Sequence, residues 1–159
     1  MAAELFPNNE MVAVAWLKAG VPRLDGHVAT SLPEDRDSWR DIGFVVVNGI
    51  GGSPDNYTGV RMPVFSLTYY AVAKEGSRPP WNMASHLAEL VRESTIPTGV
   101  ALGSTRAAYQ VMAMPDAYRD AKVLNVMLTS EPRRRPGDTG DFAIYQNEIE
   151  MHWVVVPGS

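Results

Sequence analysis

The C-terminal part of the chain has the most regular alternation of apolar and polar positions. A period of two is the spacing at which successive side chains of a β-strand reach the same face of a sheet. The pattern therefore predicts a long strand with one buried face and one solvated face. Its apolar positions are Tyr145, Ile149, Met151, Trp153 and Val155, and they alternate with Gln146, Glu148, Glu150, His152 and Val154.

Two other segments have the spacing of amphipathic helices. Residues 8–19 form the first, with Asn8 or Asn9 as the N-cap and Gly20 as the stop. Residues 81–93 form the second, which the Pro and Gly residues of segment 97–99 end. The apolar positions are Met11, Val12, Ala15, Trp16 and Ala19 in the first helix and Met83, Leu87, Leu90 and Val91 in the second.

Runs of β-branched and aromatic residues predict the remaining strands, at residues 26–31, 42–48, 60–73, 105–114 and 123–129. Gly49–Asn56 is rich in turn residues and is predicted to connect a β-hairpin. Pro63, near the start of the next strand, favours an edge or a bulged position there. Together the elements predict an α+β fold: a mixed, largely antiparallel β-sheet packed with two main helices, as a single domain over residues 1–159.

Composition narrows the possible functions. The chain has 159 residues and no cysteine, which excludes a disulfide scaffold, a zinc-thiolate site and a cysteine nucleophile. Eighteen acidic and 14 basic residues give a formal net charge of −4, which disfavours tight nucleic-acid binding as the main role. The first ten residues lack a signal-peptide pattern, and no stretch approaches the ~20 apolar residues of a membrane span, so a soluble protein is expected.

Sequence motifs for catalysis or cofactor binding are weak. Gly49, Ile50 and Gly51 imitate the start of a dinucleotide-binding fingerprint, but the third glycine position is Pro54 and a strand follows instead of a helix. His27, His86 and His152 fall on different elements without metal-ligand spacing. No serine lies in a nucleophile elbow, and Glu148 and Glu150 fit a solvated strand face better than an acid/base pair. We therefore expect no enzyme activity, no cofactor and no metal.

The candidate contact residues lie in two polar segments. Arg133, Arg134 and Arg135 form the densest charge of the chain, in a predicted loop over residues 131–141. This loop fits a solvated surface, a contact with the acidic residues of a neighbouring subunit, or a contact with passing DNA. The same loop contributes Asp138 and Asp141 as candidate interface residues. Trp39, in the polar segment 33–40, is predicted to contact a partner, whereas Trp16, Trp81 and Trp153 are assigned to the core.

The order of these elements resembles the tail terminator proteins of siphophages, the long-tailed bacteriophages, especially the versions in actinobacterial phages and the lambda-like minor tail proteins. Similarity spans most of the chain. It is carried by Leu5–Pro7 through Val14–Leu17, Val28–Pro33, Val47–Gly52, and the final hairpin with Pro132–Arg134 and Tyr145. A tail terminator has no catalytic signature.

The resemblance implies a structural virion protein. Such a protein forms an oligomeric, usually hexameric, ring that caps the tail tube, ends tube polymerisation and provides the head–tail joining surface. The implied partners are further copies of the same chain, the tail tube protein and the connector or head-completion protein. DNA passes only transiently through the ring lumen, and no membrane is involved. The implied location is the tail or neck of the virion, with assembly in the host cytoplasm.

Two other interpretations fit the same sequence. The chain could be another neck or tail component, such as a head-completion, connector or tube protein, because small α+β subunits recur there. From a different class, it could be a small-molecule-binding α+β domain. Gly49–Asn56, Tyr69 and Tyr70 would then contribute to the pocket.

Overall fold

A computed structural model describes residues 5–74, 77–96, 110–137 and 139–157 of the chain. Within them lie two α-helices and one seven-stranded sheet, which confirms the predicted α+β class. In chain order the elements are α1 (Asn9–Gly20), β1 (Val28–Ala29), β2 (Phe44–Pro54), β3 (Arg61–Val72), α2 (Trp81–Ser94), β4 (Gln110–Met112), β5 (Ala121–Leu128), β6 (Arg133–Arg134) and β7 (Phe142–Val155).

The sheet has the strand order β1-β2-β3-β7-β5-β4, and β6 pairs with β7 beside the end of β5. Among the strands named above, only β1 and β2 run parallel, and every other strand pair is antiparallel. The sheet is therefore mixed and largely antiparallel, as predicted. The predicted strand over residues 105–114 is described only from residue 110, and the preceding residues 97–109 lie outside the described part.

Both helices pack on one face of the sheet. The α1 helix begins as predicted, because the side chain of Asn8 accepts a hydrogen bond from the backbone N–H of Met11 at 2.9 Å. It ends at Gly20, whose carbonyl accepts a hydrogen bond from the Ser94 hydroxyl at the end of α2. A Cβ at Gly20 would lie 3.0 Å from that hydroxyl oxygen, so a glycine lets the two helix ends approach closely.

Strand β7 confirms the predicted alternation. Residues 143, 149, 151 and 153 are buried toward the helices, while Glu148, Glu150 and His152 are half-buried on the opposite, outer face of the sheet. The main core lies between the helices and the sheet and contains Trp16, Phe65 and Trp153.

A pair of polar side chains lies inside the main core. The Tyr69 hydroxyl donates a hydrogen bond to the side-chain oxygen of Asn147 at 2.6 Å, and both residues are fully buried. Burial, with a smaller contribution from the charge of Glu89, raises the pKa of Tyr69 well above its ordinary value. The tyrosine therefore stays protonated as a donor in the folded protein.

The predicted hairpin forms, but its turn lies elsewhere. Strand β2 continues to Pro54 through Gly49–Gly52, and the chain reverses over residues 55–60 instead of 49–56. Ile50 is an extra residue that forms a β-bulge opposite β3. A Cβ at Gly52 would lie 2.3 Å from the Met62 carbonyl oxygen, at φ +121°, so this strand position requires glycine. Glycine is common both in turns and in β-bulges, so the glycine-rich sequence was interpreted as a turn although it forms a bulged strand.

Pro63 lies in β3, which has neighbours on both sides, so it is not at an edge. Its position is nevertheless next to the bulge of β2, as the sequence allowed.

Candidate assembly surfaces

The arginine segment is not a free loop. Residues 133–134 form β6 and pair with residues 145–146 of β7. Because successive residues of a strand point to opposite faces, Arg133 faces the outer side of the sheet and Arg134 faces the helices. Arg133 and Arg134 therefore have different environments, and Arg135, which follows the strand, has a third.

Arg133 is bound within its own chain. Its guanidinium lies 3.1 Å from Glu148 and also donates a hydrogen bond to the Ser130 hydroxyl. The Ser130 hydroxyl in turn donates to the Glu148 carboxylate and accepts from the Glu148 backbone N–H. These contacts hold the chain together where it passes from β5 to β6. Glu148, predicted to be solvated, has only 21% of its side chain exposed and is paired.

Arg134 also has a partner within the chain. Its guanidinium carbon lies 3.8 Å from the ring centroid of Trp81, at the start of α2. The Trp81 ring meets Tyr145 of β7 at 6.3 Å in an edge contact. A cation–π contact of this kind is worth about 0.5–1 kcal/mol at an exposed site. Arg134 therefore joins β6 to the beginning of α2.

Arg135 differs from both neighbours. Its backbone N–H donates to the carbonyl of Ile144 at 2.9 Å, which fixes the position of the residue. The side chain is exposed and has no ion pair or ring contact with the described part of the chain. Of the three arginines, Arg135 is the one available to a partner.

Of the two acidic candidate residues, Asp138 and Asp141, the structure describes Asp141. Asp141 is largely exposed and lies 3.4 Å from the guanidinium of Arg36, which also covers the ring of Phe142 at 4.6 Å. Asp138 lies outside the described residues. The structure therefore places Asp141 in an exposed ion pair at the start of β7.

The expectation that Trp39 is exposed for a partner was wrong. Its side chain is 0% exposed and packs against the rings of Phe44 at 6.1 Å and Phe142 at 6.2 Å. Its indole N–H donates to the carbonyl of Pro33. The flanking polar residues of segment 33–40 stay at the surface, while the indole covers apolar side chains on the outer face of the sheet. The hydrophobic effect favours this burial, and the sequence pattern missed it because one of the covered rings, Phe142, is far from Trp39 in sequence.

The sequence reasoning missed the most prominent surface, which we name the arm: residues 49–61, the distal part of the β2–β3 hairpin. Nearly every side chain from Asn48 to Gly59 is exposed, including Ile50 at 57% and Tyr57 at 100%. Strand β1 pairs with β2 only at Val45 and Val46. Beyond Val46, no described strand pairs with the outer edge of β2. The signal in the sequence was the turn pattern from Asp55 to Gly59, which places the reversal further along than the glycines suggest.

The base of the arm is attached to α1 and β7. A Cβ at Gly49 would lie 2.8 Å from the carboxylate oxygen of Glu10, so the α1 side chain lies directly against the strand. The Trp153 indole N–H donates to the side-chain oxygen of Asn9 at 2.9 Å. Arg61 covers the other part of the Trp153 ring at 5.0 Å. These contacts fix the direction in which the arm leaves the sheet.

The turn at the tip of the arm is ordered by Asp55. Its carboxylate accepts hydrogen bonds from the backbone N–H groups of Tyr57 at 3.0 Å and Thr58 at 3.3 Å. Hydrogen bonds from the side chain of Thr58, and then from the backbone of both residues, lower the pKa of Asp55. The carboxylate is therefore ionised at neutral pH, next to the wholly exposed ring of Tyr57.

A groove of about 780 Å³ runs along α1. One wall is the exposed side of α1, and the others are residues 28–30 and 113–115. The side chains of Met11, Val14 and Met114 make it mainly apolar, and Lys18 lies at its rim.

The residues that the ligand-binding and metal-binding interpretations require do not lie together in the structure. Tyr69 is buried toward the helices, whereas Tyr70 packs on the outer face with the Trp39 cluster, so the two tyrosines do not share a pocket. His27 pairs with Asp41 at 3.3 Å, and His152 pairs with Glu150 at 2.8 Å on a different part of the molecule. In the described ranges, no three His, Asp or Glu side chains form a group that could hold a metal ion.

Neither of the two described helices is long and apolar enough to cross a membrane. A comparison with models of known protein families found no match, and a comparison with curated protein sequences also found none.

Proposed function

We propose that this chain is a structural subunit that assembles into a closed ring and caps a phage tail tube, as a tail terminator does. Its partners would be copies of itself, the tail tube protein and the head-side connector, and DNA would pass only through the lumen. Its location would be the tail or neck of the virion, after assembly in the host cytoplasm. In this role the chain works through contact surfaces rather than catalysis.

The observation that carries the proposal is the edge of β2 beyond Val46, with which none of the described strands pairs. An edge strand presents unpaired backbone N–H and C=O groups, and natural proteins protect such edges with charges, short strands or a covering segment. From Asn48 to Ser53 this edge has no charged residue, and it carries the exposed side chain of Ile50. The position of Pro54 limits how far a pairing strand can extend. An edge of this kind supports pairing with another subunit.

The attachment of the arm supports a ring rather than irregular association. The contacts of Glu10 with Gly49 and of Arg61 with Trp153 at its base give each subunit the same arm direction. When the arm of one subunit meets a different surface of the next, the contact is heterologous, and a fixed rotation closes it into a ring. Arg135, whose side chain has no ion pair with the described residues, adds a cation that an acidic residue of the neighbour can pair with.

The proposal is tested by the mass of the purified chain, measured by light scattering over a range of concentrations and salt. We expect a closed multimer near six subunits whose mass does not grow with concentration. The variant Ile50→Lys places a charge on the uncovered edge and is expected to shift the population to smaller species. Met127→Lys adds the same charge at an exposed apolar position on β5, which β3 and β7 separate from β2, and serves as the matched control.

The outcomes separate the alternatives. A strict monomer at every concentration would contradict self-assembly and return weight to the ligand-binding interpretation. A mass that increases without limit would instead favour a tube-like component, because an open helical contact does not close. Equal effects of Ile50→Lys and Met127→Lys would remove the edge from the proposal.

A further inference from the structure

We propose that the tip of the arm, residues 55–59, docks in the α1 groove of a second copy of this chain, with Tyr57 as the anchor. This inference rests on the proposed function, since it requires copies of the chain to associate. It deepens that proposal by naming the two surfaces that meet.

The tip has the properties of an interface anchor. Tyr57 is fully exposed, although a large aromatic side chain contributes most when it is buried against a partner. The turn that presents it is ordered before any contact, because Asp55 accepts from two backbone N–H groups and pairs through its own backbone with Val60 and Gly59. A pre-ordered turn loses little conformational freedom on binding.

The groove has a matching size and character. Its volume of about 780 Å³ is in the range of protein pockets that enclose a ligand, ~300–1,000 Å³. Met11 and Met114 face it from opposite walls, and methionine side chains adapt easily to an inserted ring. Val14 and Ala15 add apolar side chains to the α1 wall.

Two charged side chains line the groove, Glu10 in the first turn of α1 and Lys18 in its last turn, and Lys18 offers the charge opposite to that of Asp55. Lys18, at the rim of the groove, is exposed and has no ion pair with the described residues. Asp55 at the tip is ionised and has only hydrogen-bond donors of its own turn as partners. With Tyr57 in the groove, Asp55 can meet Lys18 of the neighbour, which fixes the orientation of the contact.

The occupant must come from a second copy. The arm leaves the sheet beside the N-terminal end of α1, where Glu10 contacts Gly49. The turn at Asp55 lies six residues further along an extended strand, roughly 20 Å away at ~3.3 Å per residue. The groove is lined by α1 from Asn8 to Lys18 and by residues 28–30, and β1 pairs with β2 before the arm begins, so we expect the tip to lie beyond the groove of its own subunit.

The test mixes two variants that each lack one half of the contact. Tyr57→Ala keeps the groove but loses the anchor, and Val14→Glu keeps the tip but places a charge in the groove. We expect each variant alone to associate at least about tenfold more weakly than the wild type. A one-to-one mixture should form a heterodimer, since one intact tip then meets one intact groove. The masses are measured by light scattering, after circular dichroism has shown that both variants are folded.

A second pair of variants keeps the test informative if Val14→Glu does not fold. Lys18→Glu reverses the exposed charge at the rim, and Lys122→Glu makes the same change at an exposed position on β5. We expect Lys18→Glu, but not Lys122→Glu, to associate more weakly than the wild type.

Three results would overturn the contact. One is wild-type association in Tyr57→Ala, another is equal behaviour of the two lysine variants, and the third is a wild-type chain that stays monomeric at every concentration. If the wild type forms a closed multimer that Tyr57→Ala leaves unchanged, only the tip–groove contact fails and the ring proposal remains.

Discussion

Replacement of Arg133 by alanine should destabilise the fold, whereas the same replacement at Arg135 should not. The two residues are close in sequence and carry the same charge, but of the two side chains only that of Arg133 has partners among the described residues. Its guanidinium contacts Glu148 at 3.1 Å and the Ser130 hydroxyl at 3.2 Å. Arg135→Ala is therefore the matched control for the loss of one positive charge in this segment.

The expected loss follows from exposure. The Arg133 side chain is 49% exposed, so solvent screens its ion pair, and an exposed pair contributes only ~0.2–1 kcal/mol. Glu148 is less exposed, and removal of its cation leaves a half-buried carboxylate with the Ser130 hydroxyl as its remaining side-chain partner. Together these effects amount to about 1–2 kcal/mol. Arg135→Ala should change the stability by less than about 0.5 kcal/mol.

The assay is urea unfolding followed by tryptophan fluorescence, with thermal unfolding as a second measurement. For a chain of this length, the Arg133→Ala loss corresponds to a melting temperature lower by roughly 2–8 °C. The Glu148→Ala background supplies the double-mutant cycle, in which Arg133→Ala should cost less. Equal stability of the two arginine variants, or an unchanged cost in that background, would refute the assignment of Arg133 to an intrachain role.

Three further predictions concern the core and the arm. Tyr69→Phe should cost about 1–3 kcal/mol, because it leaves the buried oxygen of Asn147 without its donor; denaturant unfolding measures this. The raised pKa of Tyr69 also predicts that the free energy of unfolding depends on pH. The contribution of Tyr69 is fully present below the unfolded pKa of about 10 and is lost as the pH rises toward the folded pKa. Phenolate absorbance should therefore appear together with alkaline unfolding, and Tyr69→Phe should flatten the pH dependence. Gly52→Ala should destabilise the hairpin more than Gly51→Ala, because only the Cβ at residue 52 would lie against the facing strand. Hydrogen exchange of the arm measures the difference, and equal protection in the two variants would contradict the prediction. Trp39→Ala should lower the stability by about 3–5 kcal/mol in thermal unfolding, whereas a near-neutral result would restore the exposed role first expected for this side chain.

Elements with strong local signals could be predicted from the sequence. The cap at Asn8 is a local signal, because its side chain accepts from the backbone N–H of Met11 in the first turn. The end of α1 at Gly20 was also predicted, although the structure requires a glycine there for the close approach of Ser94 at the end of α2. The alternation in β7 was equally informative, since a strand between a core and an outer face must follow a period of two. These signals were sufficient for the α+β class.

Features that depend on distant partners could not be predicted in the same way. Gly49–Gly52 belongs to a strand because β3 pairs along it, and the sequence of the segment itself does not contain that information. Trp39 is buried because it packs on Phe44 and on Phe142, and Phe142 is far from it in sequence. The separation of Arg133 from Arg134 depends on the pairing of β6 with β7, which sends the two side chains to opposite faces.

The central claim, a closed ring, is tested most directly by electron microscopy of the purified chain in negative stain. Averaged images should show rings of one size with a central opening and about six equal subunits. The variant Ile50→Lys, imaged at the same concentration, should show few such rings. Wild-type images with only single subunits, or with open filaments of variable length, would contradict the claim.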